Sequence, residues 1–568
     1  MKINKSIIIV SLLTSLFLFH SINNYIILHK DTTPPVIDAM GHFDNSIQYH
    51  LNLENGLSFF VQDYFAHSKS YPPFFIFSSL PLYYLFGTSL DVGIMTNCLY
   101  LLILIFSVYF IGKKLHDEVT GLLAAFIVTI YPSLFGLSRV YMLDFALTAM
   151  VALTICFMLY SDHFRNRAFT ILFGSGLGLA FLTKWDAPLF VLGPFLAYLL
   201  YSFNLKEIIL NGKVKKFLVH GINLVLSLVI ALVLSLIWIV PSLMEFLRLM
   251  AFENSGSNYR QDSIFYVKEL SSQMSSIFVI FLVASIAIII FYLVSKKLGD
   301  RKHRIEKAEM MHLLIMALWF IIPFLYFTFL PWLSHSYSRW TTPYLPALAL
   351  ITALGVSLAG LFGPFKNRKN RLLRPARRSM VIIAFLVALV VVLGLAQFFM
   401  TSYSHSIMQD SISIYRYGLL SAGTYDWKVD ELIMMINETK DEMPLVRVLL
   451  TCPLSYHDYL STRAKIMGLN IRFIDIMSPS YDIFKNINES NTISMQVAEY
   501  LDKAAYVIEV EPPRVLNRFP EQIRSELNRL FSQRKNEFQK LDVLEIPERM
   551  NLTLYKRASG DQNETQQT

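Results

Sequence analysis

The stretch YPPFFIFSSLPLYYLFGTSL, from Tyr71 to Leu90, decides the topology of this chain. It is apolar enough to enter a bilayer, yet it opens on Pro72-Pro73 and is interrupted again at Pro81 and Gly87. A spanning helix needs about 20 mostly apolar residues, and each proline removes a helix hydrogen bond. The flanking charges settle the reading. If Lys2 and Lys5 lie inside and 72–90 does not cross, five further basic clusters face the cytoplasm. These are Lys113-Lys114, Arg165 to Arg167, Lys206 to Lys216, Lys296 to Lys307 and Lys366 to Arg378, an arrangement that satisfies the positive-inside rule. If 72–90 crossed, all of these would face outward. The stretch is therefore read as a re-entrant or interfacial piece.

Working outward, the spanning segments are 6–28, 91–111, 119–137, 142–160, 168–184, 186–203, 217–240, 273–295, 310–330, 341–362 and 380–400. They predict a polytopic α-helical membrane protein of about eleven transmembrane helices. The N-terminus lies in the cytoplasm and the C-terminal domain outside the cell membrane. Composition agrees: 54% of residues are hydrophobic, only 16% are charged, and mean hydropathy is +0.45. Soluble domains carry about a quarter charged residues. The net charge of +8 sits in short clusters between apolar runs, which argues against a nucleic-acid partner and for cytoplasmic loops. Met1 to His20 has the basic start of a signal peptide but no small-residue cleavage site follows, so it is read as an uncleaved first span. Cys98, Cys156 and Cys452 form no zinc or disulfide pattern and are read as packing residues.

The chain divides into a membrane domain, 1–400, and an extracytoplasmic α/β domain, 401–568, with a disordered tail from Ser559. In the second part helical patterns (Asp430 to Lys440, Pro520 to Phe538) alternate with apolar runs at 445–450, 471–476, 505–510 and 552–555. That alternation predicts a largely parallel sheet. There is neither a GxGxxG nor a P-loop to hold a nucleotide. Four acceptor sequons, at Asn437, Asn488, Asn551 and Asn563, all fall here and agree with an outer location.

Four groups of residues carry candidate chemistry, and the span count places them on one membrane face. The first outer loop, 29–71, holds Pro34-Pro35-Val36-Ile37-Asp38 and then His42-Phe43-Asp44-Asn45. A carboxylate there, Asp44, is suited to take a proton from an attacking hydroxyl; a solvated loop acid is the plain alternative. Ser138-Arg139-Val140-Tyr141-Met142-Leu143-Asp144 joins two spans, and a turn could bring Arg139 to Asp144. Leu182-Thr183-Lys184-Trp185-Asp186 joins two more, with Lys184 suited to a phosphate. His335-Ser336-Tyr337-Ser338-Arg339-Trp340 precedes Pro343-Tyr344-Leu345-Pro346, and Arg339 could grip a phosphate with two hydrogen bonds. Interfacial anchoring of helix ends is the alternative for all three. Two acids and three bases on one face suggest a site for an anionic, membrane-bound substrate, such as a phosphate on a lipid. The histidines and acids of the first loop (His42, Asp44, His50, Asp63, His67) match no metal-ligand spacing, although a divalent cation bridging Asp44 and a phosphate remains an option.

These residues, in this order, resemble the family-39 glycosyltransferases of the GT-C fold, relatives of the protein O-mannosyltransferases and aminoarabinose transferases. The resemblance covers about residues 30–350. It rests on Asp44, the Tyr71-Pro72-Pro73 segment, the Ser138 to Asp144 run, Leu182-Thr183-Lys184-Trp185, and Arg339 before Pro343-Tyr344-Leu345-Pro346. It implies transfer of a sugar, with mannose one candidate, from a polyprenyl- or dolichyl-phosphate donor to a hydroxyl of a glycan, lipid or protein acceptor on the outer face. Asp44 would be the base, and Asp144 and Arg139 would line the site. Lys184 and Arg339 would hold the donor phosphate, and His42 and Tyr71 would contact substrate.

The sequence departs from the family at Asp44-Asn45, where many members carry Asp-Glu. The tail is not a MIR domain. The Trp-Trp-Asp-Tyr-Gly run of oligosaccharyltransferases and an Asp-x-Asp triplet are both missing, which argues against whole-oligosaccharide transfer and a nucleotide-sugar donor. A lipid-linked substrate transporter or flippase is the alternative reading. It would call for charges near the midplane and a repeat relating two halves, and neither is present. A membrane scaffold whose outer domain binds a partner is a third.

Overall fold

The computed structural model describes residues 5–30, 37–66, 71–203, 214–255, 264–298, 307–329, 338–359, 377–403, 428–440, 446–450, 456–474, 490–511, 521–546 and 550–558. Pro34 to Val36, His67, His335 to Tyr337, Cys452, Asn488, Asn563 and the tail from Ser559 lie outside these residues. The chain forms two compact units, Met1–Leu28 with Tyr49–Ser421, and His29–Gln48 with Ala422–Thr568. This division falls between Ser421 and Ala422 and groups His29–Gln48 of the first outer loop with the C-terminal part.

In order, the helices of the first 203 residues are α1 (Lys5–Lys30), α2 (Ile37–Glu54), α3 (Leu57–Ala66), α4 (Phe74–Phe86), α5 (Leu90–Met95), α6 (Asn97–Leu115), α7 (Glu118–Thr129), α8 (Pro132–Leu137), α9 (Leu143–Tyr160), α10 (Arg167–Thr183) and α11 (Ala187–Ser202). There follow α12 (Val214–Ser255), α13 (Phe265–Met274), α14 (Ser276–Leu298), α15 (Lys307–Phe329), a 3-10 segment (Ser338–Tyr344), α16 (Leu345–Ala359) and α17 (Arg377–Tyr403). Over its described residues every predicted span is largely helical. Among the described residues eight helical stretches are long and apolar enough to cross a membrane, and α4, α7, α10 and α11 are shorter apolar helices. The chain is a multi-pass membrane protein.

The differences have local causes. The segment 119–137 is two helices because Pro132 starts a new one at its first turn. The segment 273–295 begins later because Ser275, at φ 73, breaks α13 from α14. The first outer loop is helical over α2, where Met40, Phe43 and Ile47 recur at helical spacing and are buried. At thirteen residues, α4 rises about 20 Å, short of a ~30 Å hydrocarbon core.

Within the first unit, α9 and α16 are central. Of the window Leu143–Tyr160 83% is buried, and of Arg339–Ala359 89%, against 17% for Ser276–Lys296. Lipid offers apolar side chains no gain on association, so close packing through small residues must hold such helices together. Gly174 of α10 lies against the backbone of Ser227 on α12, and Gly193 of α11 against the Leu318 carbonyl on α15, where a Cβ would sit 2.5 Å from that oxygen. Gly174→Leu is expected to destabilise the bundle by at least ~1–3 kcal/mol through overpacking, seen as a lowered thermal midpoint in detergent. Gly221→Ala, which meets nothing within 4 Å, is the matched control and is expected not to lower it.

The second unit carries α18 (Val429–Thr439), β1 (Val446–Leu450), α19 (Tyr456–Ile466), β2 (Ile471–Ile474), α20 (Ser490–Lys503), β3 (Tyr506–Glu511), α21 (Glu521–Gln533), β4 (Phe538–Ile546) and β5 (Met550–Arg557). The sheet runs β2-β1-β3-β5-β4. Side chains alternate between its faces. Val446, Val448, Tyr506 and Ile508 meet Leu432, Ile433 and Ile436 of α18 and Leu460 of α19 on one side. Leu449 and Val507 meet Val497 and Leu501 of α20 and Leu527 and Phe531 of α21 on the other. The largely parallel sheet expected is corrected to a mixed one. β1 is parallel to β2 and β3, but β5 is antiparallel to both β3 and β4. Strand β4 escapes the sequence pattern because a bulge between Lys540 and Asp542 breaks its two-residue period.

Candidate active site

Lys184 and Asp186 stand where α10 stops and α11 starts. Lys184 takes an extended conformation at the end of α10, and Pro188 lies in the first turn of α11, where its missing N–H is tolerated, so the helix breaks between them. The break swings the Lys184 ammonium to the first turn of α9. There its Nζ donates to Asp144 Oδ1 at 2.9 Å and lies 3.3 Å from Asp186 Oδ2. Arg339, on the 3-10 segment, comes to the same carboxylate, with Nε 3.8 Å from Asp144 Oδ2 and Nη1 3.7 Å from Met142 Sδ. Asp144, Lys184 and Arg339 are all buried.

The 3-10 segment is clamped in place. Trp319 Nε1 donates to the Pro343 carbonyl at 2.9 Å, Gln273 Nε2 to Thr341 Oγ1 at 2.7 Å, and the Thr148 and Thr342 hydroxyls are 3.2 Å apart. The result is a buried cluster of two cations and two carboxylates drawn from four elements. Of the three ammonium protons of Lys184, Asp144 and Asp186 engage two. The third can be offered to an anion. The Trp340 ring centroid is 5.9 Å from the ammonium.

Arg139 goes elsewhere. Its Nε donates to Asn24 Oδ1 of α1 at 2.9 Å, and its guanidinium covers Phe135 and Phe398 at 5.1 and 5.7 Å from the ring centroids. The turn after α8 brings Asp144 to Lys184 and Arg339 rather than to Arg139. Tyr141, between them, docks on α4, its hydroxyl 2.8 Å from Ser79 Oγ. Tyr71 is exposed, just ahead of the buried Pro72 and Pro73.

In the second unit Asp44 lies on α2, with Oδ1 accepting from Thr462 Oγ1 and from Lys465 Nζ, each at 2.7 Å. His42, two residues earlier, is buried. No group of three or more His, Cys, Asp or Glu fit for a metal occurs among the described residues. The Lys465 ammonium, 2.7 Å from Asp44 Oδ1, repels a divalent ion at this carboxylate. His50 lies 3.3 Å from Glu54, and Asp63 accepts from Asn52 at 2.6 Å.

Sequence reasoning passed over Asp186, Asn24, Thr462 and Lys465. Asn24 had a signal, a polar residue inside the first apolar span. Asp186 lay in view beside Lys184. Nothing local points to Thr462 or Lys465.

Residues 63–248, about a third of the chain, match the family model of dolichyl-phosphate-mannose-protein mannosyltransferase. A search of curated protein sequences found no match. Among solved structures the chain is similar to ArnT from Cupriavidus metallidurans in the apo state, at TM-score 0.56 and 12% identity over 97% of each chain. It is also similar to the same protein bound to undecaprenyl phosphate, at TM-score 0.55 and 12% identity over 98% of this chain and 99% of that one. The Archaeoglobus fulgidus oligosaccharyltransferase tethered with an acceptor peptide aligns at TM-score 0.50 and 12% identity, over 87% of this chain and 68% of that one. At such identity these likenesses speak for the fold, which is GT-C. Fold and matched segment together define an integral-membrane glycosyltransferase. Over the matched residues the resemblance to the family-39 glycosyltransferases has the support of that family model.

Proposed function

We propose that this glycosyltransferase moves a single sugar from a polyprenyl-phosphate donor to an acceptor hydroxyl on the extracytoplasmic face of the cell membrane. The observation that carries the reading is the buried Asp144–Lys184–Arg339 cluster. Two cations held rigid by carboxylates, away from water, suit a phosphate on which negative charge grows as the glycosidic bond breaks. In ArnT the bound lipid is undecaprenyl phosphate. Lys184 and Arg339 bind the phosphate, and Asp144 and Asp186 fix the cations. Asp44 takes the acceptor's proton as its oxygen attacks the anomeric carbon, and the polyprenyl phosphate leaves. His42 and Tyr71 contribute to substrate binding, while Arg139 braces α1 through Asn24.

Sidedness has support of its own. Residues 29–48 and 422–568 share one compact unit, which supports placing both on one side of the membrane with an even number of crossings between them. Among the described residues seven long helices after α1, with α7, α10 and α11, make ten, and counting α4 would make the number odd. Lys5 and Lys113, both read as cytoplasmic, share Glu118 at 2.6 and 3.2 Å.

The test uses purified full-length protein with polyprenyl-phosphate-[3H]mannose, and in parallel the glucose and aminoarabinose forms. Membrane glycolipid and protein fractions serve as acceptors. Transfer of label from one donor is expected, lost in Asp44→Asn. If no donor is consumed, or if lipid crosses liposome bilayers without bond cleavage, the transporter reading replaces this one.

A further inference from the structure

We infer that Thr462 and Lys465, in the C-terminal part of the chain, are positioning residues for Asp44, a role that rests on Asp44 being the base. Both are donors, and both fall on the same carboxylate oxygen, Oδ1, at 2.7 Å. Among the described residues nothing donates a hydrogen bond to Oδ2, and the Asp44 side chain is 33% exposed. A carboxylate pinned through one oxygen keeps its plane and direction while the other oxygen is open to a proton.

The platform behind the two donors is rigid. They are three residues apart on α19, so one helix face presents both. Leu460 and Ala464 of that helix are buried in the sheet core. Arg463, between the donors, grips Asp430 of α18 with Nε and Nη2 at 2.7 and 2.8 Å. Thr462 itself is fully buried, so its hydroxyl has little freedom to turn away. The sheet domain is then not a separate binding module. It holds the base at the angle the reaction needs, which explains why residues 29–48 form a unit with residues more than 370 positions away.

The step itself is unchanged: the acceptor O–H proton goes to Asp44 Oδ2, the new bond forms at the anomeric carbon, and the bond to phosphate breaks. Orientation of the base affects the rate of that step and not the affinity for the donor. Misplacing a reacting group by about 1 Å can cost about 10²-fold.

The double variant Thr462→Val, Lys465→Met, as full chain, is expected to lower kcat about 10- to 100-fold while KM for the labelled polyprenyl-phosphate sugar stays unchanged. A second arm avoids any question of folding. Lys465→Cys is assayed before and after alkylation with 2-bromoethylamine, which rebuilds an ammonium at the same reach, with the parent chain treated in parallel. Recovery of kcat within one folded sample is expected. Parental kcat in the folded double variant, or no recovery on alkylation, while Asp44→Asn is inactive, overturns the positioning role and leaves Asp44 as base. An active Asp44→Asn overturns the base itself, and this inference with it.

Discussion

Lys184→Met is expected to lose stability and activity together, and a second substitution is expected to restore only the first. The ammonium lies between Asp144 and Asp186 in a buried setting, so its removal leaves two carboxylates with Arg339 as their remaining counter-charge. Breaking a buried pair from one side costs about 3–5 kcal/mol, because the partner charge stays desolvated. The same change removes a cation from the donor phosphate, which is expected to lower kcat by about 10²–10³-fold. Asp186→Asn in the Lys184→Met background removes the carboxylate left without a counter-charge, since Asp144 keeps Arg339. The thermal midpoint is then expected to rise again, whereas transfer is not. A double-mutant cycle on both readouts separates the two roles, since contacting residues couple by about 0.5–3 kcal/mol. If the interfacial-anchor reading were right, stability and activity would recover in parallel.

How much of this was legible in the sequence depends on distance along the chain. The spans were, because apolar length and the sign of flanking charge are local properties, and the exclusion of 72–90 turned on charge alone. Residues at broken helix ends were legible as a class. A Lys, an Arg or an Asp at the edge of a span is costly enough to need a reason, and Asp144, Lys184 and Arg339 were picked out on that ground. Their pairing was not legible. Arg139 and Asp144, five apart, looked like partners, yet the short turn after α8 sends Arg139 towards Asn24 on α1 and Asp144 towards α10 and the 3-10 segment. The α/β character of the tail followed from alternation. The direction of its last strands did not, because hairpin pairing is set by a turn and a bulge that average hydropathy does not register. The Thr462 and Lys465 contacts to Asp44 bridge more than 400 residues, and no spacing rule reaches that far.

Asp44→Asn should be the cleanest separation of chemistry from structure in the molecule. The amide oxygen can still accept from Thr462 and Lys465, so the local geometry survives. What is lost is one half-exposed ion pair, and exposed pairs contribute about 0–1 kcal/mol. The thermal midpoint is therefore expected to change little. An amide cannot take a proton from an attacking hydroxyl, so transfer is expected to fall by about 10²–10⁴-fold, the range of general-base catalysis. Donor affinity, measured by displacement of labelled polyprenyl-phosphate sugar, should match the parent, because Lys184 and Arg339 are untouched. Asp44→Glu, which keeps a base but moves it by one methylene, is expected to fall between. A parallel loss of stability and rate in Asp44→Asn would instead mark the residue as structural. An unchanged rate would leave proton removal to another group.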